Sequence, residues 1–282
     1  MAEIVSSFNS AFTLAFVVTS MFGLGLGLTV RDLLAPLGNV RLVLAALLVN
    51  FVLLPGAAWL LTQVLPLQHD LEVGLILMST VAGAPLTIRA AQLARGNAAF
   101  AGSLVTLQVI VTVIYLPIVL PLLISNATVD AVGVAMPLVL QVLMPLGAGL
   151  LMNVRYDEEA EMTRPIMTEI SNISLAAMLA LNLGNVPQVL GLVGTGALAS
   201  ALGLILFGLA SGYLLGGPDR KIRKTLALGS AQRNYAAAFV IAQGSFATQP
   251  DVFLMLLTAS LISMMVVLIA AGEFARRDRA RE

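Results

Sequence analysis

The chain of 282 residues is 59% hydrophobic and only 11% charged, with a mean hydropathy of +0.97 and a formal net charge of zero. Soluble domains carry roughly 25% charged residues, so the composition describes an all-α, polytopic membrane protein, and its neutral balance leaves no electrostatic footprint for nucleic acid. The absence of cysteine excludes disulfides, thiolate metal sites and cysteine nucleophiles.

Nine apolar windows have about the 20-residue length that a helix needs to cross a bilayer. They run at roughly 8–29, 42–64, 71–95, 98–124, 131–153, 166–190, 197–217, 221–245 and 250–273. The opening "MAEIVSSFNS" lacks the basic region of a signal peptide, so the first window is expected to stay as a helix. Within it, Gly23, Gly25 and Gly27 include a small-residue spacing that suits close helix packing. The third window contains "TVAGAPLTIRAAQLARGN", where Gly83 and Pro85 soften the helix in mid-span and remove a backbone donor. The acidic "YDEEAEMTRP", residues 156–165, reads as a cytoplasmic loop. The eighth window contains "LALGSAQRNYAAA", which crowds Gly229, Ser230, Gln232 and Asn234 around Arg233. Unwound backbone at membrane depth is tolerated only against protein or a water-filled cavity.

Basic residues test the count. When the loops are assigned alternately to two sides, one side holds Arg31, Arg41, Arg95, Arg155, Arg164, the cluster Arg220, Lys221, Arg223 and Lys224, and the tail residues Arg276, Arg277, Arg279 and Arg281. The other side holds none. The positive-inside rule then gives an N-out, C-in topology, with "PDRKIRK" (218–224) meeting anionic lipid. Asp130 and the other acidic residues fall at or near span ends. Two basic residues, Arg89 and Arg233, are left inside spans, where an ionisable group marks function.

The windows starting at 8, 42, 71 and 98 match those starting at 166, 197, 221 and 250, with shifts of 158, 155, 155 and 152. One window separates the two sets, so they cross the membrane in opposite senses, as in the inverted repeats of secondary transporters. The expected division is a first repeat over 1–124 and a second over 125–282. Arg89 and Arg233 sit in the third member of each set, and both of those members look broken.

These stretches resemble the bile acid:sodium symporter (BASS, or SBF) family over nearly the whole chain. Gly83, the pair Thr87-Ile88 and "LARGN" (93–97) fall on the family's "PGGxxSN…LARGN" motif, and Asn234 falls on the asparagine of "ExGxQN". "MFGLGLGL" (21–28) and "NFVLLPGAAW" (50–59) resemble the helices before the first broken span. The resemblance implies a core domain in which two broken helices cross, rocking against a panel domain.

Sodium-coupled members draw ligands from the Ser-Asn pair, from hydroxyls on the next helix and from the Glu and Gln of "ExGxQN". The matching positions here are Thr87 and Ile88, Ala101 and Val105 (with Ser103 and Thr106 close by), Gly229 and Arg233. Asn50 replaces a glutamine on the earlier helix. A sodium site needs hard oxygens, usually with a carboxylate, so sodium is a doubtful partner. The expectation is alternating-access transport of a small organic anion, with Arg233 standing in for a bound cation. Arg89, Thr87, Gln232, Asn234, Gly83, Pro85, Asn50 and Ser263 complete the candidate substrate site. As a bacterial-type member, the protein is expected in the inner membrane, with no cofactor. Two alternatives stay open: a sodium-coupled organic anion symporter, and a membrane anion sensor that transports nothing. An enzyme is not expected, since the single histidine, His69, lies in an outer loop and no acidic residues pair at depth.

Overall fold

The computed structural model describes residues 2–29, 39–124, 131–182, 187 and 191–280, and every regular element among them is helical. The helices are α1 (Ala2–Gly25), α2 (Val40–Val64), α3 (His69–Thr80), α4 (Leu86–Leu93), α5 (Ala98–Leu123) and α6 (Ala131–Arg155). They continue as α7 (Asp157–Leu181), α8 (Ala197–Leu215), α9 (Arg220–Ala231), α10 (Tyr235–Ser245) and α11 (Pro250–Arg279). Six of them, α1 (through its Ser7–Gly25 part), α2, α5, α6, α8 and α11, are long and apolar enough to cross a membrane. The third and eighth expected spans are each two short helices, α3 with α4 and α9 with α10. Arg31, Asp130 and Arg281 lie outside the described residues, as do 183–186 and 188–190 at the end of the sixth expected span.

One expectation is corrected. "YDEEAEMTRP" is not a loop: α7 begins at Asp157, with Asp157, Glu158 and Glu159 in its first turn. Carboxylates there face the positive end of the helix dipole and stabilise it. The charge that made the stretch look like a loop is what starts the helix.

Prolines and glycines set the irregularities. Pro55 has no N–H for the carbonyl of Phe51, four residues earlier. Helix α2 widens into a π-helical turn at Val49–Leu53, and the Tyr115 hydroxyl donates to the Phe51 carbonyl at 2.7 Å. Between α3 and α4 the chain is extended at Val81, and Gly83 has φ +88°. A Cβ at Gly83 would stand 2.7 Å from the Val105 carbonyl oxygen and the Val109 nitrogen on α5, so only glycine fits. The unwound Ala82 donates to the Thr112 hydroxyl at 3.0 Å and accepts from it at 3.3 Å. The unwound backbone at Ala82 is thus satisfied within the protein.

Helix α1 packs mainly on α6 and α7, while α3 packs on α11 and α8 on α9. A Cβ at Gly25 would lie 2.2 Å from the Leu146 carbonyl, and one at Gly149 would lie 2.3 Å from that of Phe22. The two glycines therefore bring the backbones of α1 and α6 into contact. Gly208, Gly212 and Gly216 do the same for α8 against α9. The cavity described next lies between α1 and α7 on one side and α4, α10 and α11 on the other.

Candidate functional site

Arg233 lies in the break between α9 and α10. Twelve helical residues at 1.5 Å each put it about 18 Å from the start of α9. It is 1% exposed, the largest side chain among the fully buried. Its Nε donates to the Met78 carbonyl at 3.1 Å, and its Nη2 donates to the Ser79 carbonyl at 2.6 Å. Its Nη1 donates to Asn50 Oδ1 at 2.6 Å, and Nη2 also reaches the Asn50 carbonyl at 3.4 Å.

Met78 and Ser79 belong to the last turn of α3, whose carbonyls lack helical partners and carry the negative end of its dipole. The neighbouring carbonyls of Ile76 and Leu77 are served locally. The Ser79 hydroxyl donates to Ile76, and that of Thr80 to Ile76 and Leu77. Arg233 is therefore a cationic cap on one broken helix, supplied by the other. Asn50 extends the joint, donating from Nδ2 to the Ala46 carbonyl at 2.9 Å and to the Ser230 hydroxyl at 3.1 Å. All the hydrogen-bond partners of Arg233 are neutral, and no described aspartate or glutamate is buried.

A second cation caps the other half of the first broken pair. Lys224, 3% exposed, donates to the Ala94 carbonyl at 2.8 Å just past the end of α4, and it pairs with Asp278 on α11. In the sequence Lys224 is one member of a basic cluster; nothing there sets it apart from its neighbours.

The position that matches the glutamate of the resembled motif is packed with hydrocarbon. A Cβ at Gly229 would meet Leu104 Cδ2 at 3.0 Å and Thr87 Cγ2 at 3.1 Å. Ala101 and Val105 are fully buried, while the hydroxyls of Ser103 and Thr106 turn back to carbonyls of their own helix, those of Ala99 and Gly102.

A cavity of about 790 Å³ reaches this crossing. Pro85, Ile88, Arg89, Gln232, Arg233 and Asn234 line it, facing α1 and α7. The N-termini of α4 and α10 both open on it, at Leu86 and Tyr235, and such ends favour anions. The Asn234 side chain accepts from the Ala237 N–H at 3.2 Å, which leaves its buried Nδ2 without a partner. Arg89 and Arg164 are exposed in the cavity. The other candidates lie beside it. Thr87 is fully buried against Gly229, with its hydroxyl unpartnered. Gly83 is packed on α5. Ser263 donates to the Ala231 carbonyl at 3.1 Å and to Gln232 Oε1 at 3.0 Å. Asn50 touches Arg233 rather than the cavity. Arg164 enters the cavity lining from α7, with its guanidinium against Gly27; in the sequence it counts only as a topogenic basic residue, and no local signal sets it apart.

Among the described residues, six membrane-length apolar helices, and two interrupted helix pairs packed with them beside a cavity, define an integral membrane protein with the kind of discontinuous helices that secondary transporters use. The chain belongs to the Sodium Bile acid symporter family, whose model matches residues 13–191. It is 25% identical over 238 residues to the "Probable sodium/metabolite cotransporter BASS1, chloroplastic" of Arabidopsis thaliana, covering 83% of this chain and 59% of that one. It is 26% identical over 230 residues to the "Probable sodium/metabolite cotransporter BASS2, chloroplastic" of Oryza sativa subsp. japonica, covering 80% and 55%. The chain thus spans little more than half the length of these relatives. The family is one of transporters.

Proposed function

We propose that the protein is a secondary transporter of a small organic anion that works by alternating access without sodium. In this reading nine spans form two inverted repeats, 1–124 and 125–282, in a bacterial inner membrane with the N-terminus out and the C-terminus in, and the cavity opens to the cytoplasm. The observation that carries the proposal is the binding of the Arg233 guanidinium to the oxygens of Asn50, Met78 and Ser79. A cation held there would need those same oxygens. Arg233 is always protonated, so it fills the place permanently.

The names of the relatives describe sodium cotransport. Against that reading here stand the occupied oxygens of Asn50, Met78 and Ser79 and the methyl groups of Leu104 and Thr87 around Gly229. The substrate's charge meets the starts of α4 and α10, Asn234 Nδ2 and Arg89, while its tail meets Phe16, Leu24 and Leu175.

Thermal unfolding of the purified protein with 2-oxobutanoate or cholate tests the reading. A ligand at 100 times its dissociation constant adds about 2.7 kcal/mol, and at least one of these monocarboxylates is expected to raise the melting temperature. Stabilisation by neither would overturn the anion assignment.

A further inference from the structure

We propose that the transporter runs as a one-for-one exchanger of organic monoanions, in which the substrate is the counter-ion that Arg233 lacks within the protein; this rests on the anion-transport reading above. A charge taken out of water is ordinarily paired. Arg233 is 1% exposed and holds four neutral oxygens, and no described carboxylate is buried near it. Lys224, the other buried cation among the described residues, has its carboxylate in Asp278. Arg89, Arg164 and Glu169 also line the cavity, but all three are exposed rather than buried. Among the described residues Arg233 is therefore the buried charge without an ionic partner, and it sits where the broken helices meet.

The cavity reaches that charge, and its wall there is built to receive an anion. Asn234 Nδ2 is a buried donor without a partner, and the N-termini of α4 and α10 open beside it. A bound monoanion pairs that buried charge; the second charge of a dianion would find no further unpaired buried cation to meet among the described residues.

The consequence for transport follows from Arg233 being part of the chain. A bound metal ion leaves with its substrate, but the guanidinium stays. The empty crossing carries a net charge and the loaded one carries none. Moving a net charge past an apolar barrier costs more than moving a neutral assembly. The loaded form changes sides readily, and the empty form is held until another anion binds. Exchange of like charges moves no net charge, so it does not respond to the membrane potential.

The test uses the full chain reconstituted in liposomes, with labelled 2-oxobutanoate and cholate, the same probes as in the unfolding assay. Uptake is compared between vesicles preloaded with the unlabelled probe and empty vesicles, with and without a sodium gradient and a valinomycin-imposed potassium potential. Preloading is expected to speed uptake about tenfold or more, the ratio given by a barrier difference of only ~1.4 kcal/mol. Neither the sodium gradient nor the potential should change that rate, and preloaded succinate should not replace the monoanion. If a probe that stabilises the protein entered empty vesicles as fast as preloaded ones, or entered only with sodium, exchange would be overturned while anion transport stood. If neither probe bound nor moved, both readings would fall together.

Discussion

Replacing Arg233 by alanine separates a guanidinium that holds the fold from one that only touches substrate. The main-chain carbonyls of Asn50, Met78 and Ser79 lose their donor, and Asn50 Oδ1 must turn away. A buried acceptor left unpaired costs about 1–3 kcal/mol, so three fixed carbonyls, partly relieved by water, come to roughly 3–6 kcal/mol. For a chain of this size each kcal/mol moves the midpoint by about 2 °C. The melting temperature of the detergent-purified variant should therefore fall by roughly 6–12 °C. Arg233→Lys should recover only part of the loss, because an ammonium lacks the planar fork that meets several acceptors at once. Stabilisation by monocarboxylates should disappear in Arg233→Ala. An unchanged melting temperature would refute the idea that Arg233 caps α3 and ties the broken helices together.

Three further outcomes are expected. Arg89→Ala, at an exposed residue, should leave stability within about 0.5 kcal/mol of wild type, a shift in melting temperature of about 1 °C, while weakening monocarboxylate binding a few-fold in the same thermal assay. Gly25→Leu should yield little monodisperse protein on gel filtration, because its Cβ alone would lie 2.2 Å from the Leu146 carbonyl, whereas Gly56→Ala, with nothing within 4 Å, should behave as wild type. Single cysteines at 158, 248 and 279 in this cysteine-free chain should label with 158 and 279 from one side of the membrane and 248 from the other; labelling of all three from one side would break the proposed topology.

The fold was legible in the sequence where it is written in side-chain chemistry. Gly83 and Pro85 mark one helix break, and the polar run from Gly229 to Asn234 marks the other. The glycines at 23, 25 and 27 mark a close helix contact, which Gly25 makes. What was not legible depends on backbone groups brought together from afar. The sequence shows Arg233 without a carboxylate at its depth, but its partners are carbonyls of α3 and the amide of Asn50, about 155 and 183 residues away in the chain. Gly229 reads as a missing ligand; that Leu104 and Thr87 fill the space beside it is a matter of packing. Lys224 looks like one basic residue in a topogenic cluster, yet it is buried on the end of α4. The acidic start of α7 misled because carboxylates signal both an aqueous loop and a helix N-terminus, and hydropathy alone does not separate the two.

The central claim is that a covalently fixed cation has replaced a dissociable one, and the most direct measurement is anion binding with the monovalent cation exchanged. Purified protein is titrated with the monocarboxylate that stabilises it, in sodium, potassium or choline chloride at one ionic strength. The predicted result is the same dissociation constant in all three salts. Binding that appears only in sodium would show that a metal ion still occupies the crossing, and that Arg233 does not take its place.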